Sequence, residues 1–417
     1  MGSMGMKRWK IAAAGTALQL CLGTVYAWSY FQKPLVETYH WNNTQVAWVF
    51  SLAICFLGLA AAWGGKNLTK YGPRALAICG GVLFGGGTLV AALALHFKSL
   101  ILLYLGYGVI GGTGLGLGYV TPVATAAKWF PDKKGLVTGM VIMGFGLGAL
   151  LMSKVLAPVL MSIASGDLVL VFGLLGGVFI VIATACGSLL RNPPPGFVVE
   201  GYRDEGKKQE AVVTAGGSLL SWKFVMIWTI FFCNIVAGIA LIGFQSPLLQ
   251  DLLRKHSPEM AGATLAAYGA TLIAVSSLFN GAGRFFWGGL SDRIGRIQTF
   301  RIMLFSQVVV FLLLAKVGHP WVFAALVCYV LLCYGGGFGT MPSFVMDVFG
   351  GKLMPVVYGV VLTAWSAAGI VGPQIIAWLR DHHAQEAASY SFMVGAAFLA
   401  VGAVISLFLT DRAHGEG

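Results

Sequence analysis

Charge is scarce in this sequence. Asp, Glu, Lys and Arg make up 10% of the 417 residues, against 58% hydrophobic residues and a mean hydropathy of +0.82. An ordinary soluble domain carries about 25% charged residues, so a fully water-exposed surface is excluded. Long polar stretches are lacking as well. The longest, residues 191–218, is too short for a soluble output domain, which weighs against a receptor that signals through one. No glycine loop with a phosphate-binding lysine is present, so nothing points to ATP-driven work. The seven cysteines, at 21, 55, 79, 186, 233, 328 and 333, fall inside apolar runs without metal-ligand spacing. His382 and His383 are adjacent rather than one helical turn apart, which is the spacing of solvated loop residues and not of a metal site. No catalytic residue, metal or cofactor is expected.

Apolar runs are abundant. They cover 9–31, 45–65, 74–96, 99–127, 135–163 and 167–190, then 222–250, 262–290, 297–317, 320–347, 355–379 and 388–409. At ~1.5 Å per residue, each can cross a hydrocarbon core of about 30 Å. The strands of a β-barrel would be about ten residues long and alternate in polarity; these runs are longer and apolar on all sides. The expected fold class is therefore an all-α integral membrane protein of twelve transmembrane helices, with the lipid bilayer as its surroundings. A net charge of +12 would raise nucleic acid as a partner in a soluble chain. Here most of the 27 Lys and Arg fall on the side of the N-terminus, as the positive-inside rule requires of a cytoplasmic face. Topology explains the charge, and no nucleic-acid partner is expected. The expected placement is multi-pass in the cell (inner or plasma) membrane, with both termini cytoplasmic.

The chain repeats itself. The segment GKNLTKYGPR at 65–74 returns as GGLSDRIGR at 288–296 when Gly72 is set on Gly295. TPVATAAKWF at 121–130 pairs with MPSFVMDVF at 341–349, and TGMVIMGFGLGA at 138–149 with YGVVLTAWSAAG at 358–369, at nearly the same offset. A proline-rich, charged segment divides the copies. The expected domains are a six-helix bundle over 6–190, a cytoplasmic linker over 191–221 and a second six-helix bundle over 222–411. Parallel duplication of six-helix units is a transporter architecture with the substrate between the halves near mid-membrane.

GGLSDRIGR resembles the loop motif of the major facilitator superfamily, although the first copy has Thr69 where the motif has an acid. KWFPDKKGLVTG at 128–139 and NGAGRFFWGGLSDRIGR at 280–296 are similar to the monocarboxylate transporter family and the neighbouring oxalate and formate exchangers. The resemblance spans the whole chain. It implies the two-bundle fold and a gate at the cytoplasmic face in which Asp292 pairs with a helix end and with nearby bases such as Arg293 and Arg296.

Arg284 stands within a span, where a charge costs roughly 3 kcal/mol or more and normally faces a partner or a cavity. All 15 acids lie at span ends, in loops, in the linker or in the tail. Asp347 is the one structural partner in prospect, and the alternative is an anionic ligand. The planar fork of arginine suits a carboxylate. Asn280, one turn earlier on the same face, could join it or bond to another helix. Wall candidates are Tyr119, Tyr334 and Phe338, with Tyr30 and Tyr26 on one face of the first helix; packing or a place in the interfacial belt is the alternative role for each. The resemblance implies a second cation, a lysine in oxalate exchangers, at the position of Trp365. Lacking it, one fixed cation balances one carboxylate, and a small monocarboxylate is the expected partner.

The resemblance also implies co-transport of a proton. Asn280, however, occupies the position of the family's titrating aspartate, and Tyr30, with Lys33 nearby, that of its helix 1 lysine. The expectation is a secondary transporter of small monocarboxylates of the lactate and pyruvate class, working by proton-coupled symport. Carboxylate exchange of the oxalate and formate type remains open, and a non-transporting receptor or a membrane enzyme has less in its favour.

Overall fold

Within a bilayer every backbone N–H and C=O must be bonded inside the protein, by a helix or a closed barrel, and these long unalternating runs fold as helices. The computed structural model of the protein describes residues 3–194, 196, 197, 199, 217, 219–350, 353–383 and 386–409, and among them there is no strand. The spans are α1 (Arg8–Tyr39), α2 (43–71), α3 (73–96), α4 (Leu100–Trp129), α5 (Leu136–Ile163) and α6 (Leu168–Leu189). After the connecting segment come α7 (Trp222–His256), α8 (Gly262–Ile294), α9 (Arg296–Leu314), α10 (Pro320–Phe349), α11 (Val356–His382) and α12 (Ala387–Phe408). Much of the expected linker, including 200–216, and the end of the chain from 410 lie outside the described residues.

Eleven helices are long and apolar enough to cross a membrane, because α2 and α3 run together as one 54-residue helix, Asn43–His96. The break inside it is sharp. Gly72 has φ 75°, a region where a Cβ would be strained, and Pro73 then opens α3. Gly295 makes the same turn between α8 and α9 with φ 88°. The two glycines aligned in the sequence thus hold the same left-handed backbone, and the repeat exists in three dimensions. Pro122 and Pro342, also aligned, both lie inside helices, α4 and α10.

Several helices overrun their apolar runs. α1 continues to Tyr39, and α7 to His256 through Asp251, Arg254 and Lys255. The hydrocarbon limits where a helix must be apolar, not where it must stop, and polar ends extend into water. α2 begins with a capping box in which the Asn42 side chain accepts from the Gln45 N–H and the Gln45 side chain accepts from the Asn42 N–H, worth about 1 kcal/mol.

We call the side on which α1 starts the N-terminal face. On the opposite face the two halves are hydrogen-bonded together. Asp381, at the end of α11, accepts from the N–H groups of Asn43 and Thr44 at 2.9 and 2.8 Å, and from their side chains at 2.9 and 2.7 Å. A carboxylate on the first turn of α2 also meets the positive end of that helix. Lys33 reaches Gln250, Lys154 reaches Thr271, and Gln374 reaches Ser51, so this face is laced shut between the halves.

Candidate functional site

Helix contact positions Arg284. Gly335 and Gly339 of α10 lie directly on the backbones of Asn280 and Arg284 in α8, where a Cβ would not fit. Gly146 of α5 approaches Gly281 and the Arg284 side chain from the first half of the chain. The arginine is thereby fixed between the halves, with 3% of its surface exposed.

None of its three guanidinium nitrogens has a hydrogen-bond partner among the described residues. Asp347, the expected structural partner, is engaged elsewhere: its Oδ2 accepts from Arg296 Nε at 3.0 Å. The structural-pair reading is therefore corrected. α10 places Asp347 at its N-terminal-face end, and the α8–α9 turn brings Arg296 beside it. What Arg284 does meet is a ring. Its Cζ lies 5.2 Å from the centroid of Phe338, a cation–π contact worth about 0.5–2 kcal/mol. An unpaired buried charge is otherwise expensive, and among the described residues no acidic side chain pairs with this one.

Aromatic side chains from both halves enclose the guanidinium. Phe338 packs edge-on against Trp365 at 4.6 Å, Trp365 against Tyr119 at 5.2 Å, and Tyr119 against Phe145 at 5.1 Å. The circle continues from Phe145 to Tyr26 at 5.0 Å, from Tyr26 to Tyr334 at 5.8 Å, and back from Tyr334 to Phe338 at 5.3 Å. The hydroxyls of Tyr26 and Tyr334 share a 2.6 Å hydrogen bond that joins α1 to α10 across the halves. All six rings are buried.

Several polar atoms within this wall lack partners: the Tyr119 and Tyr358 hydroxyls, Trp365 Nε1 and Asn280 Oδ1. The Tyr119 hydroxyl sits beside the guanidinium and the Tyr358 hydroxyl without an aligned hydrogen bond to either. Buried polar groups are nearly always satisfied, and these lie beside one another around one cation: Tyr119 beside Arg284 and Tyr358, and Trp365 beside the Tyr334 hydroxyl. The arrangement can hold a small anion, giving it two or more charge-assisted bonds from Arg284, neutral donors at the side and apolar walls elsewhere. Among the described residues no group of three His, Cys, Asp or Glu could hold a metal.

Of the residues singled out in the sequence, Arg284, Asn280, Tyr119, Tyr334 and Phe338 come together here. Tyr30 does not. It is half-buried, with its ring edge-on to Phe31 at 5.1 Å. The 3-10 turn Gly23–Ala27 rotates α1 so that Tyr26, not Tyr30, joins the cluster. Asp292 pairs with Arg296 at 2.6 Å, and Arg296 also reaches Ser291; these contacts stay within the second half of the chain. Arg293 is exposed and forms no ion pair among the described residues. Phe145 and Tyr358 were missed. The repeat carried a signal for the first, since Phe145 and Trp365 occupy equivalent positions and face each other at 5.8 Å. In the register that sets Gly72 on Gly295 the equivalent of Arg284 is Ala61, so the charge of the site comes from one half alone.

Residues 13–373 match the Major Facilitator Superfamily. The chain belongs to that superfamily. It is a multi-pass membrane transporter, and its relatives within the superfamily handle small anions by name. The oxalate:formate antiporter of Oxalobacter formigenes is 27% identical over 89% of this chain and 84% of its own. The apicoplast pyruvate carrier 1 of Toxoplasma gondii is 30% identical over 78% of this chain and 68% of its own. Monocarboxylate transporter 11 of Mus musculus is 26% identical over 94% and 87%. A bacterial homologue of the human lysosomal transporter Spinster, solved inward-facing and unoccupied, superimposes with a TM-score of 0.68 over 97% of this chain and 98% of its own. At 16% identity that superposition speaks for the major facilitator fold alone.

Proposed function

We propose that this protein carries small monocarboxylates of the lactate and pyruvate class across the cell membrane as a secondary transporter, with a proton accompanying each anion. The observation that carries the substrate reading is Arg284, buried between the halves, with three unpaired nitrogens and, among the described residues, no other cation in its aromatic enclosure. One carboxylate neutralises it. A second carboxylate would be left unpaired in a low-dielectric site, at a penalty of several kcal/mol. The relatives named for pyruvate, monocarboxylates and formate fit this charge count.

Alternating access follows from the two halves, 6–190 and 222–411, rocking about Arg284, with 191–221 as their link. The N-terminal face is taken as cytoplasmic, from the distribution of basic residues. There Asp292, Arg293 and Arg296, with Asp347, form the gate on the α8–α9 turn.

Exchange is the second reading, favoured by one observation. Asn280 cannot titrate, and no carboxylate, histidine or lysine bonds to the ring of residues around Arg284 among the described residues. An empty carrier with a bare guanidinium reorients poorly, and a counter-anion would relieve this. Uptake of labelled lactate into proteoliposomes separates the readings. Symport requires accumulation driven by a proton gradient into empty vesicles. Exchange requires uptake only into vesicles preloaded with carboxylate. Absence of uptake under both conditions, with the protein shown to be folded, would refute the monocarboxylate assignment.

A further inference from the structure

We infer that Trp365 is the residue that selects acids bearing an oxygen on the carbon next to the carboxylate, by donating its indole N–H to that oxygen. The inference rests on the monocarboxylate reading of Arg284 and adds a second point of recognition. Trp365 is fully buried in α11, and its Nε1 has no hydrogen-bond partner. The ring is locked: it meets Phe338 at 4.6 Å, Tyr119 at 5.2 Å, Phe145 at 5.8 Å and Tyr26 at 6.3 Å, all at steep angles. It therefore cannot turn to find another acceptor.

Phe338 fixes the relation to the cation. The Arg284 guanidinium lies over that ring, 5.2 Å from its centroid, and Trp365 packs against the same ring at 4.6 Å. The two donors thus share two neighbours, Phe338 and Tyr119. The Tyr334 hydroxyl is the polar group beside Trp365; it shares a hydrogen bond with Tyr26 and keeps an acceptor lone pair, but the indole N–H makes no aligned bond to it. An indole N–H can only donate, so the group it awaits must be an acceptor, and the oxygen of a 2-hydroxy or 2-oxo acid is an acceptor one carbon from the carboxylate. Tyr119, whose hydroxyl can both donate and accept, can serve the carboxylate beside Arg284 without competing for this role.

Propionate keeps the carboxylate and the carbon chain of lactate but lacks the oxygen, and 3-hydroxypropionate moves it one carbon away. Titration calorimetry of the purified full-length protein with the three acids tests the inference. Lactate should bind roughly tenfold more tightly than propionate, the yield of one well-made neutral hydrogen bond, and 3-hydroxypropionate should bind like propionate. In Trp365→Phe the roughly tenfold preference for lactate over propionate should vanish, whatever the change in affinity common to both acids. Equal affinity for lactate and propionate in the unmodified protein would overturn the inference and leave the monocarboxylate reading standing. So would a Trp365→Phe variant that weakens both acids by the same factor, since Trp365 would then be a wall only. Should Trp365→Phe fail to fold, Asn280→Ala and Tyr119→Phe decide: a lactate preference kept in both supports the inference, and one lost in either assigns the oxygen to that residue and overturns it. A protein that binds none of the three would instead overturn the reading of Arg284 on which the inference stands.

Discussion

Neutralising Arg284 should abolish anion binding while sparing the fold. The guanidinium is buried and unpaired, its stabilising contact being the Phe338 ring. In Arg284→Met an apolar chain of similar length replaces a charge that has no protein partner. Stability without substrate should therefore be unchanged or higher, as when buried ionic groups elsewhere are replaced by packed apolar ones. Binding should collapse. Removing one partner of a desolvated, charge-assisted pair costs about 2–5 kcal/mol, which is roughly 30-fold to several thousand-fold in affinity. Arg284→Lys should recover little, because a point charge on a flexible stem loses the two-bond geometry. The assay is thermal unfolding with and without lactate. At a hundred times its dissociation constant a ligand stabilises the folded protein by about 2.7 kcal/mol, and both variants should lose that increment. A folded Arg284→Met protein that lactate still stabilises would refute the reasoning. So would one that unfolds well below the unmodified protein, since the arginine would then be structural.

Three further substitutions test other parts of the account. Trp365→Lys places a second cation against Phe338 and Tyr119 and should shift preference from lactate toward oxalate in competition uptake, by about tenfold or more for one added buried ion pair. Asp292→Asn removes the carboxylate that pairs with Arg296 at 2.6 Å; it should slow transport several-fold with substrate affinity retained, measured as a fall in maximal uptake at unchanged half-saturation. Asp381→Ala leaves the first turn of α2 without the acceptor of four hydrogen bonds. Discounted for partial exposure, this is about 1–2 kcal/mol, enough to shift the population of open opposite faces roughly fivefold to thirtyfold, read as distances between spin labels at positions 40 and 383.

The helices were legible because a bilayer leaves the chain no other choice, and the repeat was legible because Gly72 and Gly295 must both adopt positive φ. Arg284 stood out because a charge among apolar residues demands an explanation. The surroundings were harder to read. An aromatic residue in an apolar run carries no sign of which way it points, so Phe145 and Tyr358 looked like any other membrane residue. Tyr30 and Tyr26 looked alike in the sequence, and the 3-10 turn Gly23–Ala27, which puts Tyr26 among the rings and leaves Tyr30 against Phe31, is revealed by no periodicity. The pairing of Asp347 with Arg296 depends on how α8, α9 and α10 meet at one end, which is tertiary information. The 54-residue continuity of α2 and α3 shows the reverse case, in which the sequence marks the break through Gly72 and Pro73 more clearly than helix length does.

The central claim is that Arg284 holds the substrate carboxylate. An experimental structure of the protein with lactate bound tests it most directly. The account predicts both carboxylate oxygens about 2.7–2.9 Å from guanidinium nitrogens of Arg284, inside the enclosure of Tyr26, Tyr119, Phe145, Tyr334, Phe338 and Trp365. Lactate found with its carboxylate on any other group, and Arg284 still unpaired, would contradict it.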